Sequence, residues 1–225
     1  MPPSQRKPEE IEAIRTDMLN RAIDLIAEAG YKGFSMRKLA IRLGIAAKTI
    51  YNYFRSKDEM YLAILTRGFE TLYERCAAAS AEHRDPMDKI AAMCREYVDF
   101  GLAHANLYNL MFTWHVPKFR DYVGTEMEPA AWLELDAALR VSRLFIDTIQ
   151  LCADGRRPLT EDEARFLMIQ FWSQAHGYIA GVNNTLLDYM HETPLALKDR
   201  LIENMLENFH AATGIREKNP PGRHP

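Results

Sequence analysis

Apolar residues recur along most of this chain at steps of three and four. Ile11, Ile14, Met18, Ala22, Leu25, Ile26 and Ala29 trace one side of a helix, so residues 9–29 read as amphipathic, with Gly30 as the stop. Ser35 is placed to cap a short helix over 36–42. Leu43-Gly44-Ile45 makes a tight turn, and 46–53 form a second short helix. Ser56-Lys57-Asp58-Glu59 has the S-x-x-E form of a capping box and opens a long helix over 57–79. Asp85-Pro86, Glu128-Pro129, a second box at Thr160–Glu163, and Thr193-Pro194 mark further starts. They predict helices over 86–103, 105–113, 129–153, 161–188 and 195–213. Strand alternation is weak throughout and no internal repeat is present, so the fold class is all-α.

Two short helices joined across Gly44 make a helix-turn-helix with Leu39, Ala40, Ile45, Ile50 and Phe54 as its small core. The second helix then offers Lys48, Thr49, Tyr51, Asn52 and Tyr53 to a major groove, where lysine reads guanine acceptors and asparagine reads adenine. Charge strengthens the reading. From Lys32 to Lys57 there are seven cations (Lys32, Arg37, Lys38, Arg42, Lys48, Arg55, Lys57) and no Asp or Glu. Residues 61–225 carry 17 Lys and Arg against 23 Asp and Glu, a net of −6. A basic patch on a chain that elsewhere repels polyanions is a footprint for phosphate.

The stretch from Ile14 to Ile64 resembles the DNA-binding domain of TetR-family transcriptional regulators. The resemblance rests on Phe34-Ser35-Met36-Arg37, Leu39-Ala40, Leu43-Gly44-Ile45 and Thr49-Ile50-Tyr51-Asn52-Tyr53-Phe54-Arg55-Ser56-Lys57-Asp58-Glu59-Met60. It implies that Lys48, Thr49 and Asn52 face base edges of double-stranded DNA, and that Tyr51, Tyr53 and Lys57 contact phosphates. Ser35 and Arg37 would stand where the first short helix meets the backbone. A lysine in the first turn of a helix opposes the helix dipole unless an anion is near, which favours a phosphate role for Lys57. Two departures matter. Ala46 stands where the family often has a capping serine, a loss of typically about 1 kcal/mol. Lys48 stands where a small residue is common, so base preference is not transferable.

The C-terminal half is dense in aromatics and methionine. Tyr97, Phe100, Met111, Phe112, Phe145, Trp172 and His176 are candidates for an apolar pocket with sparse polar groups, although ordinary helical core explains the same composition. The resemblance favours the pocket, because C-terminal domains of this family commonly bind effectors. Trp172-x-x-x-His176-Gly177 also resembles the tryptophan-histidine-glycine signature of one group of these domains. Ala180 and Gly181 allow close backbone approach, and Leu201, Met205 and Phe209 lie on an apolar stripe. By the resemblance these residues build a homodimer interface, and an isologous dimer suits reading two half-sites about 34–36 Å apart.

The expected organisation is a disordered arm (1–8), a three-helix helix-turn-helix domain (9–57), an effector-binding and dimerisation bundle (58–213) and a disordered tail (214–225). Cys76, Cys94 and Cys152 are odd in number and far apart, which fits free thiols in a reducing compartment. No apolar run nears the roughly 18 residues of a membrane span, and the polar N-terminus lacks a signal-peptide core. No membrane association is expected and the cytoplasm is the expected location. No metal-ligand spacing, nucleotide-binding loop or hydrolase motif is present, so neither a cofactor, a metal nor an enzymatic activity is expected. Three readings follow. One is a repressor released from a palindromic operator by a small apolar effector, which tilts the long helix and changes the half-site spacing. The second is a DNA-binding regulator with no small ligand, and the third an all-helical enzyme.

Overall fold

Why the expected rhythm of caps and stripes folds as it does is clearest in the first sixty residues. The computed structural model describes residues 7–152 and 158–213. The expected arm up to residue 6 and tail from 214 lie outside the described residues. Helix α1 (Pro8–Gly33) leaves helical geometry at Gly30, whose φ of 69° only glycine adopts freely. Ser35 caps α2 (Met36–Leu43) by accepting from the Lys38 amide at 3.3 Å, and Gly44 closes it with φ 66°. Helix α3 (Ala47–Tyr51) is barely more than a turn, and Ala46 gives it no side-chain cap. At the start of α4 (Lys57–Ala81), the Ser56 hydroxyl accepts from Glu59 N at 3.0 Å, while Arg55 N donates to the Glu59 carboxylate at 2.6 Å.

Beyond these come α5 (Pro86–Ala103), α6 (Ala105–Tyr108) running into a wide π-turn (Asn109–Thr113), α7 (Phe119–Tyr122), α8 (Glu128–Leu151), α9 (Glu161–Asn183) and α10 (Lys198–Thr213). All regular structure among the described residues is helical. Short helix α7 lies in a stretch with no sequence signal. Helix α9 stops at Asn183, five residues before the expected 188. The cause is a Schellman-type ending, in which Leu186 N donates to Gly181 O (2.8 Å) and Thr185 N to Val182 O (3.0 Å). The left-handed position is Thr185, φ 57°, rather than glycine, so no stop was visible in the sequence.

Two compact units result. The first joins residues 1–69 to 106–137, and the second joins 70–105 to 138–225, so the division falls inside α4 and α8. In the first unit Met18, Ile26, Leu39, Ile50, Phe54 and Tyr61 are fully buried. Burying each such side chain stabilises by roughly 1.5–3 kcal/mol. In the second, α5 packs on α9 and α10, around Ile90, Met93, Val98, Phe100, Ile149 and Ile179.

Candidate functional site

The helix-turn-helix presents one side of α3 to solvent. Ile50 and Phe54 anchor it, both wholly buried, while Lys48, Asn52 and Tyr51 (51% exposed) point out. Thr49 and Tyr53 are half-buried. Ser35 is occupied as a cap and Arg37 is exposed beside it. Helix α3 and its C-cap therefore present Lys48 and Asn52, side chains of the kinds that read base edges, with Tyr51 beside them, on a support fixed from below.

The seven cations of this region are not equivalent. Arg42 forms a bidentate pair with Glu28 (2.9 and 2.5 Å), and Lys38 Nζ donates to Gly33 O at 2.7 Å. Lys57 differs from the sequence expectation. Its ammonium turns inward, donates to the Tyr31 carbonyl at 2.5 Å, and lies 4.0 Å from the Tyr31 ring centroid. The physical reason is local: a carbonyl at the end of α1 with a lone pair to spare and the faces of Tyr31 and Phe34 outcompete water for the charge. Burial pulls the Lys57 ammonium below the usual lysine range. Arg55, which the sequence reading did not single out, has a side chain 91% exposed, 3.9 Å from Glu59. Together with Arg37 and Lys48 it keeps a positive face around α3.

A polar cluster ties the segment after α6 to the helix-turn-helix within the same unit. The Asp58 carboxylate accepts from the Tyr31 hydroxyl and, at 3.2 Å, from the Tyr122 hydroxyl of α7. Tyr61 OH donates to Pro117 O at 2.9 Å. Desolvation pushes all three phenols well above the usual tyrosine range, so they remain donors at any working pH. At Gly68 the π-turn approaches so closely that a Cβ would lie 2.9 Å from Met111 Sδ.

The second unit holds a small apolar cavity of about 50 Å³. Cys94 and Tyr97 of α5, Val141, Ser142 and Phe145 of α8, Phe171, Trp172 and Ala175 of α9, and Met205 of α10 line it. Of the seven residues expected to form a pocket, three (Tyr97, Phe145, Trp172) are brought together here. Phe100 is fully buried, with its ring against His104 at 5.1 Å. His176 stacks on Trp172, centroids 4.8 Å apart and planes 9° from parallel, as an i, i+4 pair predicts. Desolvation holds its imidazole below the ordinary value. Met111 and Phe112 belong to the first unit, where Phe112 packs edge-on against Phe69 at 5.5 Å. Cys94, Cys76 and Cys152 are buried, and burial pushes each thiol up to about 12, which leaves them unreactive.

The residues expected at a subunit interface divide. Met205 and Phe209 are buried inside the protomer, Phe209 against the Phe171 ring at 5.2 Å. Gly181 is buried too, and a Cβ there would lie 2.8 Å from Leu187 Cγ. Ala180 and Leu201 are partly exposed. The outward side of α9 carries Phe166 (61% exposed), Ile169, Ser173, Gly177 and Ala180 in line, and a Cβ on Gly177 would meet nothing within 4 Å. Leu186, Tyr189 and Met190 project beyond the end of the helix.

Among the described residues, no group of three or more His, Cys, Asp or Glu is arranged to hold a metal, and no helix is long and apolar enough to cross a membrane. Comparison with known proteins agrees with the geometry. Residues 18–64 match the family model for bacterial regulatory proteins of the tetR family, and residues 90–207 match the tetracyclin repressor-like C-terminal domain. The chain is 27% identical over 162 residues to the HTH-type transcriptional activator FasR of Mycolicibacterium smegmatis, covering 68% of this chain and 71% of that protein. It is 30% identical over 76 residues to the HTH-type transcriptional repressor KstR of Rhodococcus jostii, a match over 34% of this chain and 35% of that protein. A crystal structure of the transcriptional regulator FadR from Bacillus subtilis, in complex with stearoyl-CoA, superposes with a TM-score of 0.63 at 19% identity, over 85% of this chain and 97% of that one. With a DNA-reading helix-turn-helix followed by a matching C-terminal domain over more than half its length, the chain belongs to the TetR family of transcriptional regulators and is not an enzyme.

Proposed function

We propose that this regulator binds a palindromic operator as a homodimer, represses from it, and is released when a long apolar acyl group enters and widens the small cavity of the second unit. The observation that carries the DNA part is the exposure of Lys48, Tyr51 and Asn52 on the one side of α3 that is not anchored. Lys48, Thr49 and Asn52 read bases. Ser35, Arg37, Tyr51, Tyr53 and Arg55 meet phosphates, with Lys57 bracing α1 from behind. The two-sided distribution of apolar residues on α9 supports a second copy on the outward stripe from Phe166 to Ala180, with Leu201 at its margin and Gly181, Met205 and Phe209 supporting it from within. FadR with stearoyl-CoA and the cavity of Tyr97, Phe145 and Trp172 together favour a fatty acyl ligand over a polar one.

The relatives carry both signs of regulation in their names, so repression is tested separately from binding. Selection of duplexes from a randomised pool should enrich an inverted repeat. Stearoyl-CoA should raise the thermal midpoint, since a ligand that binds only the folded state stabilises it. Ligand and DNA must then oppose each other by the same factor, typically about 1–3 kcal/mol. Equal stearoyl-CoA affinity with and without the selected duplex would remove release by ligand from the account and leave the DNA-binding part standing.

A further inference from the structure

Helix α3 poses a mechanical problem. It spans only Ala47–Tyr51, its N-cap Ala46 offers no side-chain acceptor, and no acidic residue sits in its first turn. An uncapped helix of little more than one turn has almost no stability of its own. Its base-reading side chains must nonetheless be held to within a fraction of an ångström to discriminate between base pairs. Ile50 and Phe54 fix its depth, but apolar contacts are non-directional and leave rotation loosely defined.

The structure assigns the missing constraint to Arg15 of α1. Its guanidinium Nη1 donates to the Tyr53 carbonyl at 2.9 Å, and its Cζ lies 4.5 Å from the centroid of the Phe54 ring. One planar group thus grips two consecutive residues just past the recognition helix. It does so by a directional hydrogen bond to the backbone and by stacking on the side chain that anchors it. A cation just past the C-terminal end of a helix is also in the favourable sense of the dipole. The positions before it in α1 from Glu9 to Ala13 are exposed, and the first fully buried side chain is Met18, so Arg15 is where the start of α1 engages the reading head. The Glu12 carboxylate, 3.9 Å from the Arg15 Nε, is a weak ion-pair partner by comparison. Arg15 is a positioning residue for base reading. It acts through Tyr53 and Phe54 and touches neither base nor phosphate.

The inference rests on α3 being the base-reading helix, and the test separates the two. Full-length protein is first used to select a duplex from a randomised pool, and a scrambled duplex of equal length and composition serves as control. Arg15→Ala should weaken binding to the selected duplex about tenfold and leave the scrambled duplex within about twofold. The slope of log affinity against log salt should stay unchanged, because no phosphate contact is lost. Arg15→Lys loses the stacking plane but retains a donor of nearly the same reach, and should restore at least a third of the lost discrimination. A loss equal on both duplexes, with a slope reduced by about one ion, would make Arg15 a phosphate contact and overturn the assignment. So would undiminished discrimination in Arg15→Ala, or, if that variant fails to fold, a folded Arg15→Lys that loses the same factor of affinity on the scrambled duplex as on the selected one. If the wild type enriches nothing, the reading head itself is misassigned and the inference falls with it.

Discussion

Gly177 offers a substitution whose sign depends on what covers α9. Within one protomer a Cβ at this position meets no atom within 4 Å, and the residue sits inside the helix. In a monomer, Gly177→Leu should therefore stabilise, because glycine costs about 0.5–1 kcal/mol more than a good helix former. In the proposed homodimer the stripe Phe166, Ile169, Ser173, Gly177 and Ala180 is covered by a second copy, and the smallness of Ser173, Gly177 and Ala180 is what admits a facing backbone. Forcing a leucine into such a contact costs about 1–3 kcal/mol. An isologous interface contains the change twice, so the dimer should lose about 2–6 kcal/mol, a dissociation constant roughly 30-fold to 10⁴-fold higher. Sedimentation velocity over a concentration series measures this directly, and thermal melts at a concentration where both forms are monomeric should show the variant melting higher. A Gly177→Leu protein that melts higher and dimerises as tightly as wild type would show that this face is open to water and that the subunits, if paired, meet elsewhere.

Other expectations follow from the same geometry. Lys48→Ala and Asn52→Ala should each change the preferred base at one position, at about 1–3 kcal/mol for a lost base contact. Arg55→Ala should instead weaken every sequence alike and reduce the salt slope by about 0.9; competition on a randomised pool distinguishes the two behaviours. Ser142→Leu places a side chain in the cavity and should abolish the stearoyl-CoA-induced rise in thermal midpoint while DNA affinity stays within about twofold, at a stability cost of about 1–3 kcal/mol. His176 resists protonation in the folded state because it is desolvated, so the unfolded chain takes up the proton first as pH falls. Stability from this residue is present above the ordinary histidine value and is lost as pH drops below it. Melts at pH 7.5 and 5.5 should differ less for His176→Gln than for wild type.

What could be read without the structure were features fixed by neighbours in sequence. Ser35, Gly44 and Ser56 announce three ends of two helices because capping is a matter of a few residues, and all three caps form. The identity of the reading helix follows, since Ile50 and Phe54 can only face inward if Lys48, Tyr51 and Asn52 face out. Charge patterning located the region but not the individual roles. The resemblance and the helix dipole, which a first-turn lysine opposes, both assign Lys57 to phosphate. Its actual partners, Tyr31 and Phe34, come from the end of α1 and the turn after it, more than twenty residues earlier.

The second unit was legible as helices and not as surfaces. Helix α9 has large apolar side chains around much of its circumference (Phe166, Leu167, Ile169, Phe171, Trp172), and a period of 3.6 cannot say which side is core. Packing of α5 and α10 decided it by burying Leu167 and Phe171, leaving Phe166 and Ile169 outside and drawing Met205 and Phe209 inward. The cavity arises the same way. Its walls come from α5, α8, α9 and α10, so its members, Ser142 and Ala175 among them, carry no shared local signal. Caps and helical stripes are decided within a few residues of backbone, where the sequence speaks for itself. Inside, outside and pocket are decided by contacts between segments up to about a hundred residues apart, as in the Lys198–Asp99 ion pair at 2.8 Å, and these exist only once the chain has folded.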